Sequence, residues 1–378
     1  MTEHPAVEQK PKRFRRILSA AFRWTNYFVL GCLFISVFAP FVSPAVFWPL
    51  AFFGLLQPAF LFLTLLFLAV WSIRRNRIQM LFCIVAIVLS IPQTWREFNM
   101  LRGGKAPANS FSVMSYNVKV FDLYNWSGNL QTRAKMFNLI RKQNSSILCL
   151  QEFYDQDSSK FSNLDSLIDD PGYPYHSVVY TTTLRRTDHW GVVTFSKFPI
   201  VNEGEIVFNN RSNNICIYSD VIINSDTVRI YNMHLQSIAF GKADLKYISA
   251  LSTLEDTLDE VEGSKNILRR MKRAYVKRAN QAESVAAHIA QCPYPVIVCG
   301  DMNDPPVSYT YRTISSGLND AFLECGNGLG KSFVNPFPVP RIDYIFHSDE
   351  FSAYEFQTLT EDGLSDHYPV TCKMSLAK

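Results

Sequence analysis

The stretch VIVCGDMNDPP, residues 296–306, decides how the chain is read. Val296, Ile297, Val298 and Cys299 form an apolar run short enough for a buried strand and too short for a helix. Gly300 stops the run, and Asp301, Asn303 and Asp304 follow before Pro305 and Pro306. A turn accounts for this change on its own, because Gly, Asn, Asp and Pro each favour turn backbone geometry. On that reading Asp304 caps whatever follows. The other reading is a strand that delivers polar side chains to the edge of a sheet, where a rigid scaffold holds functional loops.

Other strand-like runs end the same way. Runs rich in Val, Ile, Tyr and Phe are expected as strands at 111–118, 145–153, 175–183, 189–196, 214–224, 227–236, 295–301, 343–348 and 368–376. The first ends near Asn117, the second delivers Glu152, and the sixth delivers Asn232 and His234. RIDYIF carries Asp343, and LSDHYPV carries Asp366 and His367 ahead of the last strand. Each residue alone has an ordinary reading as a solvated end or a packing residue. Six ends that hold Asn, Asp, Glu or His, and no Lys, point to a shared site. Helical spacing appears at 129–142, 243–261 and 264–291. Adjacent β-runs interrupted by helices predict an α/β sandwich rather than a doubly wound parallel sheet.

Charge divides the chain in two. Residues 1–104 hold 11 Lys and Arg against 3 Asp and Glu, a net of +8. Residues 105–378 hold 26 against 30, a net of −4. Residues 24–73 carry no charged side chain, and neither do residues 78–95. The first run exceeds a single span of roughly 20 residues and suits two spans with a turn, and the second suits a third. Pro40, Ser43, Pro44 and Pro49 mark the turn. A basic cytoplasmic N-terminus at 1–23, a transmembrane region of about three spans at 24–95, a linker at 96–110 and a globular domain at 111–378 are therefore expected. Lys10, Lys12, Arg13, Arg15 and Arg16 precede span one, and Arg74, Arg75 and Arg77 precede span three. The positive-inside rule puts both clusters in the cytoplasm and the globular domain on the far side, periplasmic in a bacterium. The eight cysteines form no CxxC or Cys/His cluster, which gives no sign of a zinc site.

The chain resembles the endonuclease/exonuclease/phosphatase superfamily, the deoxyribonuclease I-like fold, as a membrane-anchored, bacterial-type member. SYNV, LQE, GVVTFSKFPI, NMHL, GDMND, RIDYIF and SDHYPV carry the resemblance, in the family's order, over about residues 110–376. It implies a four-layer α/β/β/α sandwich and a hydrolase acting on phosphate ester bonds. It also implies Mg2+, with Mn2+ as a substitute, held by Glu152 with Asn117 and Asp366 completing or supporting the site. Asp301 matches the residue that aligns or deprotonates the attacking water. Asn303 and His234 match phosphate contacts, and His367 with Asp343 matches the histidine and its carboxylate partner. Asn232 is a further expected substrate contact.

The chemistry asks for the same residue types. Magnesium takes oxygen ligands, few of them carboxylates. Phosphate ester hydrolysis depends mainly on positioning and charge stabilisation. Fold alone does not select the ester. A net of −4 disfavours a non-specific duplex nuclease, since nucleic-acid binding wants a positive surface. A phosphodiesterase acting on a lipid or small extracytoplasmic substrate is the expectation. A nuclease and a non-catalytic, membrane-tethered binding module are the alternatives. The expected helical insert near 238–291 contains an acidic part at 254–262 and a basic part at 265–278. The basic part is expected either to meet anionic lipid or substrate, or to be a solvated face paired with the acidic part.

Overall fold

The computed structural model describes residues 10–100, 103–157, 161–169, 172–208, 213–238, 260–334, 341–360 and 363–376. The helix expected at 243–261 lies almost wholly outside the described residues, as does most of the acidic part.

Three long helices begin the chain: α1 (Lys10–Ser36), α4 (Gln57–Ile73) and α5 (Arg77–Glu97). The turn between α1 and α4 holds a 3-10 turn (Ala39–Phe41), α2 (Pro44–Phe47) and α3 (Pro49–Leu55). Pro44 and Pro49 stand at first helical positions, where the missing N–H costs nothing, and Ser43 caps α2. Residues 14–41 and 77–97 are long and apolar enough to cross a membrane. Pro49–Leu55 with Gln57–Ile73 makes a third candidate if the pair, bent by 57°, is one span. Val29, Leu33, Phe67, Trp71 and Cys83 form the centre of the bundle. Asn26 donates to Gln79 at 3.1 Å, and Gln57 to Thr94 at 3.1 Å, so polar groups inside the bundle satisfy one another.

Among the described residues, twelve strands make two six-stranded sheets. They are β1 (Phe111–Asn117), β2 (Ile147–Gln156), β3 (Tyr175–Leu184), β4 (Asp188–Ser196), β5 (Ile200–Ile206) and β6 (Ile215–Ile223). There follow β7 (Asp226–His234), β8 (Val296–Asp301), β9 (Asn319–Asp320), β10 (Asp343–His347), β11 (Phe351–Thr358) and β12 (Val370–Leu376). One sheet has the order β11-β12-β1-β2-β4-β3 and the other β5-β6-β7-β8-β10-β9. Among the described residues, only β1–β2 and β7–β8 pair in parallel. Side chains alternate faces along each strand. Val113, Ile147, Cys149, Ile230, Ile297 and Cys299 meet between the sheets. Met114, Leu148 and Leu150 face outward under α6 (Thr132–Gln143) and α7 (Asn163–Asp169). Val296 and Val298 face outward under α8 (Glu260–Ala290) and α9 (Tyr309–Ile314). These are the four layers expected, α/β/β/α.

The expected strands are present, while β5, β9 and β11 go beyond the sequence expectation. β5 and β11 are sheet edges with exposed polar positions, which keeps their apolar signal weak. The segment expected as a linker is docked. Asn99 is buried, pairs with Gly328 through both backbone groups, and donates its side-chain amide to the carbonyls of Phe322 and Leu323.

Candidate active site

Parallel pairing sets the site. The β1–β2 register puts Asn117 opposite Gln151, one residue before Glu152. The β7–β8 register puts His234 opposite Asp301, and β10 places Asp343 opposite Asp301 on the other side. Asp366 and His367 enter from the segment ahead of β12. Two sheets thus present one edge.

Asp301 lies at the centre, 1% exposed. One of its oxygens accepts from Asn117 at 3.0 Å and Asn303 Nδ2 at 3.2 Å, and the other accepts from the Asn303 backbone N–H at 2.8 Å. His367 Nε2 is 3.6 Å away and His234 Nε2 3.8 Å away. His367 Nδ1 meets Asp343 at 2.9 Å, which fixes the ring. Ser332 Oγ accepts from the Ile342 and Asp343 N–H groups, and the Phe333 ring packs edge-on to His367. Burial disfavours the His367 cation, but the carboxylates of Asp343 and Asp301 outweigh it and push the pKa up to about 10. Burial raises the Asp301 pKa, and the His367 charge opposes this only in part.

Glu152 occupies a β-bulge. Register shifts between Leu150 and Phe153, and Glu152 adopts φ +49°. A bulge of this kind re-aims a side chain at the cost of local strain. Its carboxylate accepts from Asn117 at 3.2 Å and lies 3.5 Å from His234 Nε2, which has no hydrogen-bond partner among the described residues. Lys119 to Asp122 all have positive φ, from +42° to +55°, an unusual left-handed turn for non-glycine residues. It carries Lys119 back to Asp366, 2.9 Å away.

Donor chemistry at Glu152 fits a hard cation. Its neighbours are the Asn117 side-chain amide, which would turn its oxygen toward a cation, and His234 Nε2, while Cys149 and Cys299 belong to the core between the sheets. Asp366 is already ion-paired with Lys119, so a cation drawing on it competes with that pair. Asp301, Asp343 and His367 also form a compact group with metal-ligand atoms within 4.8 Å of one another. There, however, His367 Nδ1 is engaged by Asp343 and the Asp301 carboxylate by Asn117 and Asn303, an acid–base arrangement.

Two expectations are corrected. Asn232 is fully buried and does not reach the site surface. It accepts from Gln151 at 2.7 Å and donates to the Val193 carbonyl at 2.9 Å, so it ties the two sheets together beneath the site. Asp304 is no helix cap: it is buried, pairs with Arg278 at 3.0 Å and accepts from Thr310 at 2.7 Å. Lys119, Gln151 and Ser332 escaped the sequence reading. Lys119 stands two residues beyond Asn117, and Gln151 stands beside Glu152 in LQE. Ser332 carries no signal of its own.

Comparison with known proteins agrees with this architecture. The endonuclease/exonuclease/phosphatase family matches residues 114–367, and a domain of unknown function matches residues 16–96. No curated protein matches the chain. Among solved structures, an endonuclease/exonuclease/phosphatase from Beutenbergia cavernae is 16% identical, covering 71% of this chain and 72% of that one, with a TM-score of 0.50. The catalytic domain of human nocturnin, with a bound sulfate anion, is 20% identical, covering 76% of this chain and 98% of that one, also with a TM-score of 0.50. Both likenesses concern the fold.

Proposed function

The chain belongs to the endonuclease/exonuclease/phosphatase family and is a phosphoester hydrolase, and from that premise we propose a membrane-anchored, magnesium-dependent phosphodiesterase acting on a lipid or small extracytoplasmic ester. The observation that carries the chemistry is Asp301, seated between Asn303 and the His367–Asp343 pair and sharing Asn117 with Glu152.

Glu152 and Asn117 would hold the cation, with Asp366 in support. Bound there, magnesium supplies charge stabilisation to the phosphoryl group. The remaining roles follow from the chain's own groups. His367, held protonated by two carboxylates, is a poor base at neutral pH and a good stabiliser of charge on a phosphoryl oxygen. Asp301, with its proton affinity raised, is the better acceptor for a proton of the attacking water. His234 Nε2, with no hydrogen-bond partner among the described residues and 3.5 Å from Glu152, is the group we assign to contact phosphate. Asn303 Nδ2 donates to the Leu235 carbonyl at 3.0 Å and to Asp301 at 3.2 Å, and giving up the longer bond frees it for phosphate.

The choice of ester rests on the net −4 of residues 105–378 and on the path from the site to the membrane turn. Asp304, next to Asn303, is held by Arg278 of α8, and Tyr275 of the same helix packs edge-on to Phe52 of α3 at 5.5 Å. The charges flanking the spans support residues 1–23 in the cytoplasm and the catalytic domain outside it. A substrate panel tests the assignment: the full chain in nanodiscs with Mg2+, offered sphingomyelin, glycerophospholipids, inositol phosphates, and single- and double-stranded DNA. Faster cleavage of a lipid or small diester is expected. DNA cleavage as the dominant activity would make the protein a nuclease instead.

A further inference from the structure

The exposed basic stripe of α8 takes no part in the site. Lys265, Arg269, Lys272 and Arg273 are exposed and spaced i, i+4, i+7 and i+8, one side of a helix. Met271, Ala274, Tyr275, Arg278, Ala282 and Val285 are buried on a roughly opposite side. Among the described residues, no carboxylate pairs with these four basic groups.

What lies beside the stripe points to its partner. On the anchored reading above, which this inference rests on, residues 42–48 join the candidate spans 14–41 and 49–73 and so lie at the bilayer surface. Val46 and Phe47 are exposed there, and Phe38 and Phe41 at the end of the span before it, side chains suited to the headgroup and acyl boundary. Helix α8 runs along this turn. Lys272 Nζ sits 5.6 Å over the Trp48 ring, Tyr275 meets Phe52, and Ser43 Oγ donates to Glu283 at 3.3 Å. From 272 to 283 these contacts extend over about 16 Å of helix.

We infer that the stripe of Lys265, Arg269, Lys272 and Arg273 binds anionic phospholipid headgroups of the membrane in which the chain is anchored. The ammonium and guanidinium groups pair with lipid phosphates, while Phe41, Val46 and Phe47 enter the boundary beside them. Further along α8, Arg278 holds Asp304 and donates to the Gln236 carbonyl at 2.8 Å. Docking of α8 therefore holds the mouth of the site at headgroup level.

The test uses the full chain in membranes of equimolar phosphatidylglycerol and phosphatidylcholine. Spin-labelled versions of each lipid report the fraction immobilised by the protein. Full engagement of one charge at an anionic surface corresponds to about a fivefold preference. The triple variant Arg269→Gln, Lys272→Gln, Arg273→Gln is expected to lower the selectivity for phosphatidylglycerol at least about threefold, and Arg269→Lys with Arg273→Lys to keep it. Unchanged selectivity in the triple variant, with helicity and melting as in the parent, overturns the proposal, as it would if the acidic residues at 254–259 neutralise the stripe. Alkaline carbonate separates the premises: release of the chain overturns the anchored reading and this inference together. Retention with unchanged selectivity overturns this inference alone. Hydrolysis of bis(p-nitrophenyl) phosphate, expected to be equal in parent and triple variant, reports on the catalytic reading independently.

Discussion

His367 shows how one residue's surroundings set its chemistry. Its Nδ1 contact with Asp343 and the nearby Asp301 raise its pKa to about 10, against the cost of burial. A raised histidine pKa contributes stability that is fully present below the unfolded value of about 6.5 and is lost as pH rises through about 10. Alkaline pH should therefore lower both melting temperature and turnover in this window. Asp343→Asn removes one of the two carboxylates, so the alkaline limb of the pH–rate profile should move to lower pH. An unmoved limb would mean that His367 does not carry it. His367→Ala and Asp301→Asn should each cost about 10²–10⁴-fold in kcat. Asn232 makes a contrasting case. Asn232→Ala removes the shortest of the three acceptor contacts of the buried Gln151 amide, and its own bond to the Val193 carbonyl, which should cost about 1–3 kcal/mol of stability while KM stays level. A raised KM with unchanged melting would restore Asn232 to the substrate contacts. Both residues stood at strand ends in the sequence. Their partners separate them, since Asn232 bonds to Gln151 and Val193 of the facing sheet while His367 faces Asp343 and Asp301, and no single residue signals that.

At the scale of elements, β8 repays the question its sequence raises. Gly300 has φ +141°, and a Cβ there would collide with the Met233 carbonyl of the neighbouring strand. Gly300 is thus required where β8 pairs with β7 just before Asp301, and Gly300→Ala should destabilise by about 1–3 kcal/mol, read as a lower denaturation midpoint. Most strands were legible because apolar runs of strand length alternate between two buried faces. β5, IVNEGEI, and β11, FSAYEFQT, were not, because an edge strand is polar on its exposed side and β11 bends at Glu355 with φ +51°. The bulge at Glu152 was equally hidden: LQE reads as a continuous strand, and its positive φ follows from pairing with β4. The polar ends could be read, while the geometry converging on Asp301 needed the parallel registers.

Considered as a whole, the N-terminal helical bundle and the sandwich share a buried joint. Arg341 is fully buried, pairs with Asp320 at 2.7 Å and donates to the Arg96 carbonyl of α5 at 2.9 Å. It lies two residues before Asp343, so the end of α5 and the catalytic strand share one anchor. Arg341→Met should cost about 3–5 kcal/mol, because it strands Asp320 without its partner. A linker reading of GGKAPANS was natural from composition, yet Asn99 just before it is locked to Phe322, Leu323 and Gly328. Such a joint depends on contacts more than two hundred residues apart in sequence, which no local pattern encodes. Protease added outside spheroplasts should reach the catalytic domain, and protection of it would reverse the proposed orientation.

Metal-assisted hydrolysis at Glu152 is tested most directly by turnover of a phosphate diester by the full chain and its Glu152→Gln variant, stripped with EDTA and titrated with Mg2+. The parent should regain activity with Mg2+, and the variant should remain lower by roughly 10²–10³-fold or more. Equal turnover by both proteins, or turnover that persists in EDTA, would contradict it.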